Sequence, residues 1–173
     1  MLLGPQVTPV QANDFARNVE LQTQRGLGVR YPREVVGGQV TVDVWGVGPV
    51  RGRLTSSGVD WLLLEEPTGA EVLVSGDAVT SVRGLTAWSR EPGSDGVVTG
   101  KLDLCYALRG VARNRAGVTA VLRDATVVSG TIDRVGFDFL ELAEHPMGEP
   151  RRASVVQGTR AVRLASLALL RSW

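Results

Sequence analysis

The chain has 173 residues, enough for one medium domain or two very small ones, and its apolar share of 43% is ordinary for a globular protein. A formal net charge of +1 excludes a polyanion binder covered on all sides by positive charge. There is no run of about 18 apolar residues, so no transmembrane helix is predicted.

The first residues, "MLLGPQVTPVQANDF", show neither a basic n-region nor an apolar h-region, so no secretory signal is expected. Cys105 is the sole cysteine, which rules out an intrachain disulfide. Together these features predict a cytoplasmic protein without a membrane anchor. The first predicted element is a helix over 13–25, "NDFARNVELQTQR", with Asn13 or Asp14 as its N-cap and Phe15 and Val19 on one face.

Period-two alternation then predicts five strands. Val40, Val42 and Val44 point one way, then Val50, Gly52 and Leu54, then Leu62 and Leu64. "SSGVD" turns the second strand into the third, and Gly58 suits a left-handed backbone there. Gly52, in mid-strand, suits a sharp bend in a curved sheet. After the turn "EEPTG" come strands over 70–74 and 78–84, separated by Ser75, Gly76 and Asp77. "SREPGSDG" (89–96) reads as a linker. A second helix is predicted over 99–115, capped by Thr99, with Leu104, Leu108 and Val111 on one face and Cys105 and Ala112 beside them.

The strand pattern then recurs. Residues 117–144 align with 39–66 without a gap, matching Val118 to Val40, Gly130 to Gly52, Gly136 to Gly58, Asp138 to Asp60, Leu140 to Leu62 and Glu144 to Glu66. Such a match on apolar and glycine positions marks a duplicated structural unit. In the second copy the connection after the third strand is longer, "EHPMGEPRRASVVQGTR", and the closing strands fall within 161–172. The expected fold is mainly β with two short helices: two tandem five-stranded small barrels, each preceded by a helix. The expected division is 12–88 for the first helix and barrel, 89–98 for the linker and 99–173 for the second helix and barrel.

A helix followed by five bent strands, with glycine in the second strand and aspartate opening the third, resembles the Sm/LSm-like fold, including bacterial Hfq, and more broadly SH3-like small barrels. The likeness covers roughly 12–84 and 99–173. The paired layout also resembles a group of proteins of high-GC bacteria to which no activity is assigned. The resemblance implies single-stranded RNA as a ligand and assembly into a homo-oligomer through barrel edge strands. Sm proteins place an aspartate and then a base-reading asparagine between strands two and three. Asp60 and Asp138 match the aspartate, but no asparagine follows either. Where the family has an Arg-Gly pair between strands four and five, this chain has Ser75, Gly76 and Asp77, and then Ala165 and Ser166 in the second unit. Arg83-Gly84 lies out of register with that pair. The fold is thus expected without the family's uridine pocket.

The remaining chemistry lies in the arginines, since Lys101 is the only lysine. The bias is first that of a GC-rich coding genome, with a need for bidentate phosphate contacts as the functional alternative. Arg109, Arg113 and Arg115 gather at the end of the second helix, where the helix dipole also favours them. Arg151, Arg152, Arg160 and Arg163 lie in the long insert and the strand after it. These seven are the candidate surface for nucleic acid or an acidic partner. Asp60 and Asp138 are expected to cap their loops by accepting backbone N–H bonds. Trp61 and Phe139 are expected to cover a helix or the other barrel, or to stack bases.

His145, the only histidine, is expected as an exposed loop residue. With one distant cysteine it supplies no metal-ligand spacing and no Cys–His pair. Walker, Rossmann and Ser-hydrolase signatures are absent, so no enzyme, cofactor or metal is expected. The alternative to nucleic-acid binding is a protein-interaction or assembly module. The apolar run "LASLALLRS" at the C-terminus would then pair as an edge strand.

Overall fold

The computed structural model describes residues 37–85 and 102–172. The helix expected over 13–25 and the linker at 89–98 lie outside the described residues. The strands in chain order are β1 (Gln39–Val44), β2 (Gly48–Ser57), β3 (Trp61–Glu65), β4 (Glu71–Ser75), β5 (Val79–Arg83), β6 (Gly117–Leu122), β7 (Val127–Val135), β8 (Phe139–Glu144), β9 (Gly158–Arg163) and β10 (Leu167–Ser172). One helix of more than a single turn, α1 (Leu104–Asn114), precedes β6 among the described residues.

The expectation of two five-stranded barrels, each preceded by a helix, is overturned. The ten strands form one open sheet in the order β5-β1-β2-β3-β4-β10-β6-β7-β8-β9, with every pairing antiparallel. Neither half closes, because β4 pairs with β10 and not with β5. The C-terminal strand is therefore not an edge. It lies between β4 and β6, at the centre of the sheet.

Side chains on a strand alternate between the two faces of a sheet, and two apolar cores follow. The first gathers Val40, Val42, Leu54, Leu62, Val72 and Val74 with Ala168 and Leu169 from β10. The second gathers Val118, Ile132, Leu140, Leu142 and Leu170 with Leu104 and Leu108 of α1, and with Trp61 and Leu73 from the first half. β4 and β10 thus feed both cores, one from each face. Their register sets Leu169 opposite Val74 and Leu170 opposite Leu73. Arg171 donates twice to Glu66, at 2.8 and 3.1 Å, alongside this pairing.

The glycines answer to packing. At Gly52 and Gly130 the backbone of β3 or β8 fills the space a Cβ would occupy. Register shifts follow shortly along each strand, between Leu54 and Ser56 and between Ile132 and Arg134. Gly58 does not take the left-handed backbone expected of it, and neither does Gly136 at the matching place of the repeat, since neither is among the positive-φ glycines. The rings of Trp61 and Phe139 lie where their Cβ atoms would stand.

α1 starts later than Thr99 would dictate. Asp103 is its N-cap, its carboxylate accepting from the Tyr106 N–H at 2.8 Å. Leu104 and Leu108 are buried, and Val111 and Ala112 pack against the same core. No helix among the described residues is long and apolar enough to cross a membrane.

Because β10 serves both cores, the halves are expected to unfold together. Leu169→Ala and Leu170→Ala should each cost about 2–5 kcal/mol. Urea titrations should show one transition at the same midpoint by circular dichroism and by tryptophan fluorescence. Two separated transitions would contradict a shared seam.

Candidate nucleic-acid interface

Asp60 opens β3 at the loop beside the start of α1. Its carboxylate accepts from the Leu104 N–H at 2.7 Å, across a separation of 44 residues. The same loop donates twice to the Leu102 carbonyl, from the Val59 N–H at 3.1 Å and the Trp61 indole N–H at 2.9 Å. The first half therefore holds the entry to the second half's helix. Asp60 and Asp103 satisfy two of the N–H groups that every helix leaves open at its start. Burial pushes the Asp60 carboxyl above its ordinary value of 3.8, outweighing the Leu104 hydrogen bond, and the charges of Asp103 and Asp77 add to the rise.

Asp138 has a different fate. Its side chain is exposed, and its backbone carbonyl accepts from Leu164. The matching bond in the first half runs from the Gly76 N–H to the Asp60 carbonyl at 2.7 Å. Ser75 and Gly76 are buried in that junction. Asp77 is exposed, 3.8 Å from Arg123. Of the positions that match the Sm loops, Asp60 is taken up by helix capping and Ser75 and Gly76 by packing, while the side chains of Asp77 and Asp138 are exposed.

Trp61 is buried in the second core beneath α1, as a helix-covering residue should be. Phe139 is half-buried, with the Arg134 guanidinium 5.1 Å from its ring centre. His145 is not the exposed loop residue expected. It is 4% exposed, and its Nε2 lies 2.8 Å from the Thr131 hydroxyl. Its Nδ1 lies 3.0 Å from the Pro146 carbonyl, which can only accept, so Nδ1 carries a proton, and in the neutral ring Nε2 accepts from Thr131. The first turn of the insert is thereby folded back on β7, and the ring serves packing. Cys105 is partly buried, and burial, then Asp103, push its thiol upward.

The structure divides the seven candidate arginines. Arg109 and Arg113 are exposed one turn apart on α1. Arg115 follows as the C-cap in a left-handed conformation. The Arg115 guanidinium lies 3.7 Å from one carboxylate oxygen of Asp133, and Arg151 donates to the other at 2.8 Å. Asp133 thus joins the arginines of α1 to those of the insert, and Arg152 stands exposed beside Arg151. Arg115 and Arg151 meet at Asp133, and with Arg109, Arg113 and Arg152 exposed beside them in sequence they make up an arginine strip of α1 and the insert. Arg160 and Arg163 are on the outer strand β9, and no contact among the described residues joins them to it. Arg160 is paired with Glu144.

Sequence reading missed Asp133, because a single aspartate in mid-strand carries no linear signal. It also missed the Arg134–Glu141 pair, bidentate at 2.7 and 3.1 Å, and the stacking of Arg123 over Trp45 at 5.9 Å. The first of these was legible in principle, since arginine and glutamate recur on strands that the repeat already set side by side. Among the described residues no group of three His, Cys, Asp or Glu side chains could hold a metal ion.

Comparison with models of known protein families finds no match, and comparison with curated protein sequences finds none either.

Asp60→Ala is expected to cost about 1 kcal/mol as a lost cap. Asp138→Ala, on an exposed side chain, should stay within about 0.5 kcal/mol of the wild type. A carboxyl whose pKa is raised on folding stabilises the fold fully below its unfolded value and loses that contribution as pH rises through the folded one. The stability of the wild type relative to Asp60→Asn should therefore fall as pH rises above 3.8, as read from urea midpoints at a series of pH values. A flat difference would show that the burial of Asp60 does not govern its titration.

Proposed function

We propose that this chain is a non-enzymatic binding protein of the cytoplasm that takes single-stranded RNA along the arginine strip of α1 and the insert. The observation that carries this reading is the bridge at Asp133, which brings Arg115 of the helix end and Arg151 of the insert to one carboxylate, with Arg109, Arg113 and Arg152 exposed beside them in sequence, on a chain of net charge +1. Arginine forks suit phosphate oxygens, and a row of them gives affinity without reading base sequence. The lone Cys105 thiol fits a reducing compartment.

A protein partner is the second reading. It is favoured by Phe137, 92% exposed in the loop whose backbone carbonyls face the Cys105 thiol, and by Tyr106, 51% exposed on the next residue of the helix.

Nuclease-treated protein titrated with a mixed-sequence single-stranded RNA, followed by fluorescence anisotropy, separates the two. Affinity should fall roughly a hundredfold between about 50 and 200 mM salt if all five arginines meet phosphate. Reversing Arg109, Arg113, Arg151 and Arg152 to glutamate should abolish binding, while Arg53→Glu, outside the strip, should not. Absence of binding at the lower salt would discard the nucleic-acid reading and leave the Phe137 surface as the place to seek a protein partner.

A further inference from the structure

Among the described residues, β5 and β9 each pair on one side only, and they end the sheet. Register makes them the counterparts of the two seam strands. β5 lies on β1 with Arg83 opposite Thr41 and Val82 opposite Val42. β10 lies on β6 with Arg171 opposite Thr119 and Leu170 opposite Ala120, and both pairings carry a bulge at the matching place. Likewise Phe139 faces Arg163 of β9 as Trp61 faces Ser75 of β4. A second copy laying its β5 along β9 would repeat the geometry of the seam, head to tail.

Val74 and Val162 are alike at those positions, but four central positions differ in one direction. Where β10 has Ala168 and Leu169, β5 has Thr80 and Ser81, and where β4 has Val72 and Leu73, β9 has Arg160 and Ala161. The seam strands are buried almost end to end, and the outer strands are mostly exposed. In the seam Arg171 faces Val72. In the repeated contact Arg83 would face Arg160, two like charges directly opposed. The seam is also tied by Arg171 to Glu66, whose outer counterparts, Arg83 and Glu144, are already engaged within the chain by Asp43 and Arg160. The Thr80 and Ser81 hydroxyls donate to the Asp43 carbonyl and carboxylate. Polar and charged side chains on an edge are how natural sheets avoid pairing with further copies.

We infer that β5 and β9 are edges built to refuse a second copy, so that the seam forms once, inside the chain, and the sheet does not propagate from molecule to molecule. The inference stands independently of any RNA ligand.

Light scattering after size exclusion, with the full chain over a hundredfold range of concentration, tests it. The wild type should keep a monomer mass throughout. A variant carrying the seam residues at the outer positions, Thr80→Ala, Ser81→Leu, Arg160→Val and Ala161→Leu, should gain mass with concentration while keeping its circular dichroism. A folded variant that stays monomeric would overturn the assignment of the block to these residues. If that variant fails to fold, Arg160→Val with Ala161→Leu, which leaves β5 and its bonds to Asp43 unchanged, takes its place and should gain mass in the same way; staying monomeric would again overturn the assignment. A wild-type oligomer dispersed by Ala161→Arg would overturn the inference. A wild-type oligomer unmoved by it would place self-association on another surface and leave the edges unpaired, as inferred.

Discussion

The pairing of β4 with β10 is the constraint on which the rest depends. Both strands bury both faces. Val72, Val74, Ala168 and Leu169 supply one core, and Leu73 and Leu170 the other. A slip of one residue along this pair would turn each side chain toward the wrong core. The bidentate Arg171–Glu66 pair sits at the end of the same ladder and resists such a slip. Two halves with similar strand patterns thereby become one folding unit, since neither core is complete without a strand from the other half.

The same seam sets where α1 begins. With β3 and β4 fixed against β10, the loop at Val59, Asp60 and Trp61 is brought to the helix start. It accepts one backbone N–H there and donates to one carbonyl. Asp60 remains at this place despite burial that disfavours its charge, because an unsatisfied helix N–H would otherwise be sealed away from water. Once the start is held, the far end of the helix is held too. Arg115 comes to Asp133, and the insert can answer through Arg151.

The charges sort by what surrounds them. Arg53 and Glu65, Arg134 and Glu141, and Arg160 and Glu144 are cross-strand pairs that neutralise one another on the sheet surface. Exposed pairs of this kind contribute little stability, so their main effect is on the field outside. What they leave is the strip at the end of α1, where Arg115 and Arg151 share one aspartate and Arg109, Arg113 and Arg152 are exposed. A net charge near zero therefore describes the whole chain and conceals its arrangement.

Much of this is legible in the amino-acid sequence alone. The ungapped match of 39–66 with 117–144 identifies the strands, and period-two alternation identifies their inward faces, because each strand has at least one face against a core and hydrophobicity must follow the pleat. The apolar face of α1 at Leu104 and Leu108 is legible for the same reason. Three things are decided only by tertiary structure. Which strand lies beside β4 depends on a contact between residues far apart in sequence, and local pattern cannot distinguish a strand that closes its own half from one that joins the other half. His145 reads as exposed because its neighbours are loop residues, while Thr131, which buries it, sits on another strand. Asp60 and Asp138 are the same letter at the same place in a repeat, yet one caps a helix and the other meets solvent, because only the first reaches the open N–H groups at the start of α1, while the loop before Asp138 meets the helix through its backbone carbonyls at Cys105.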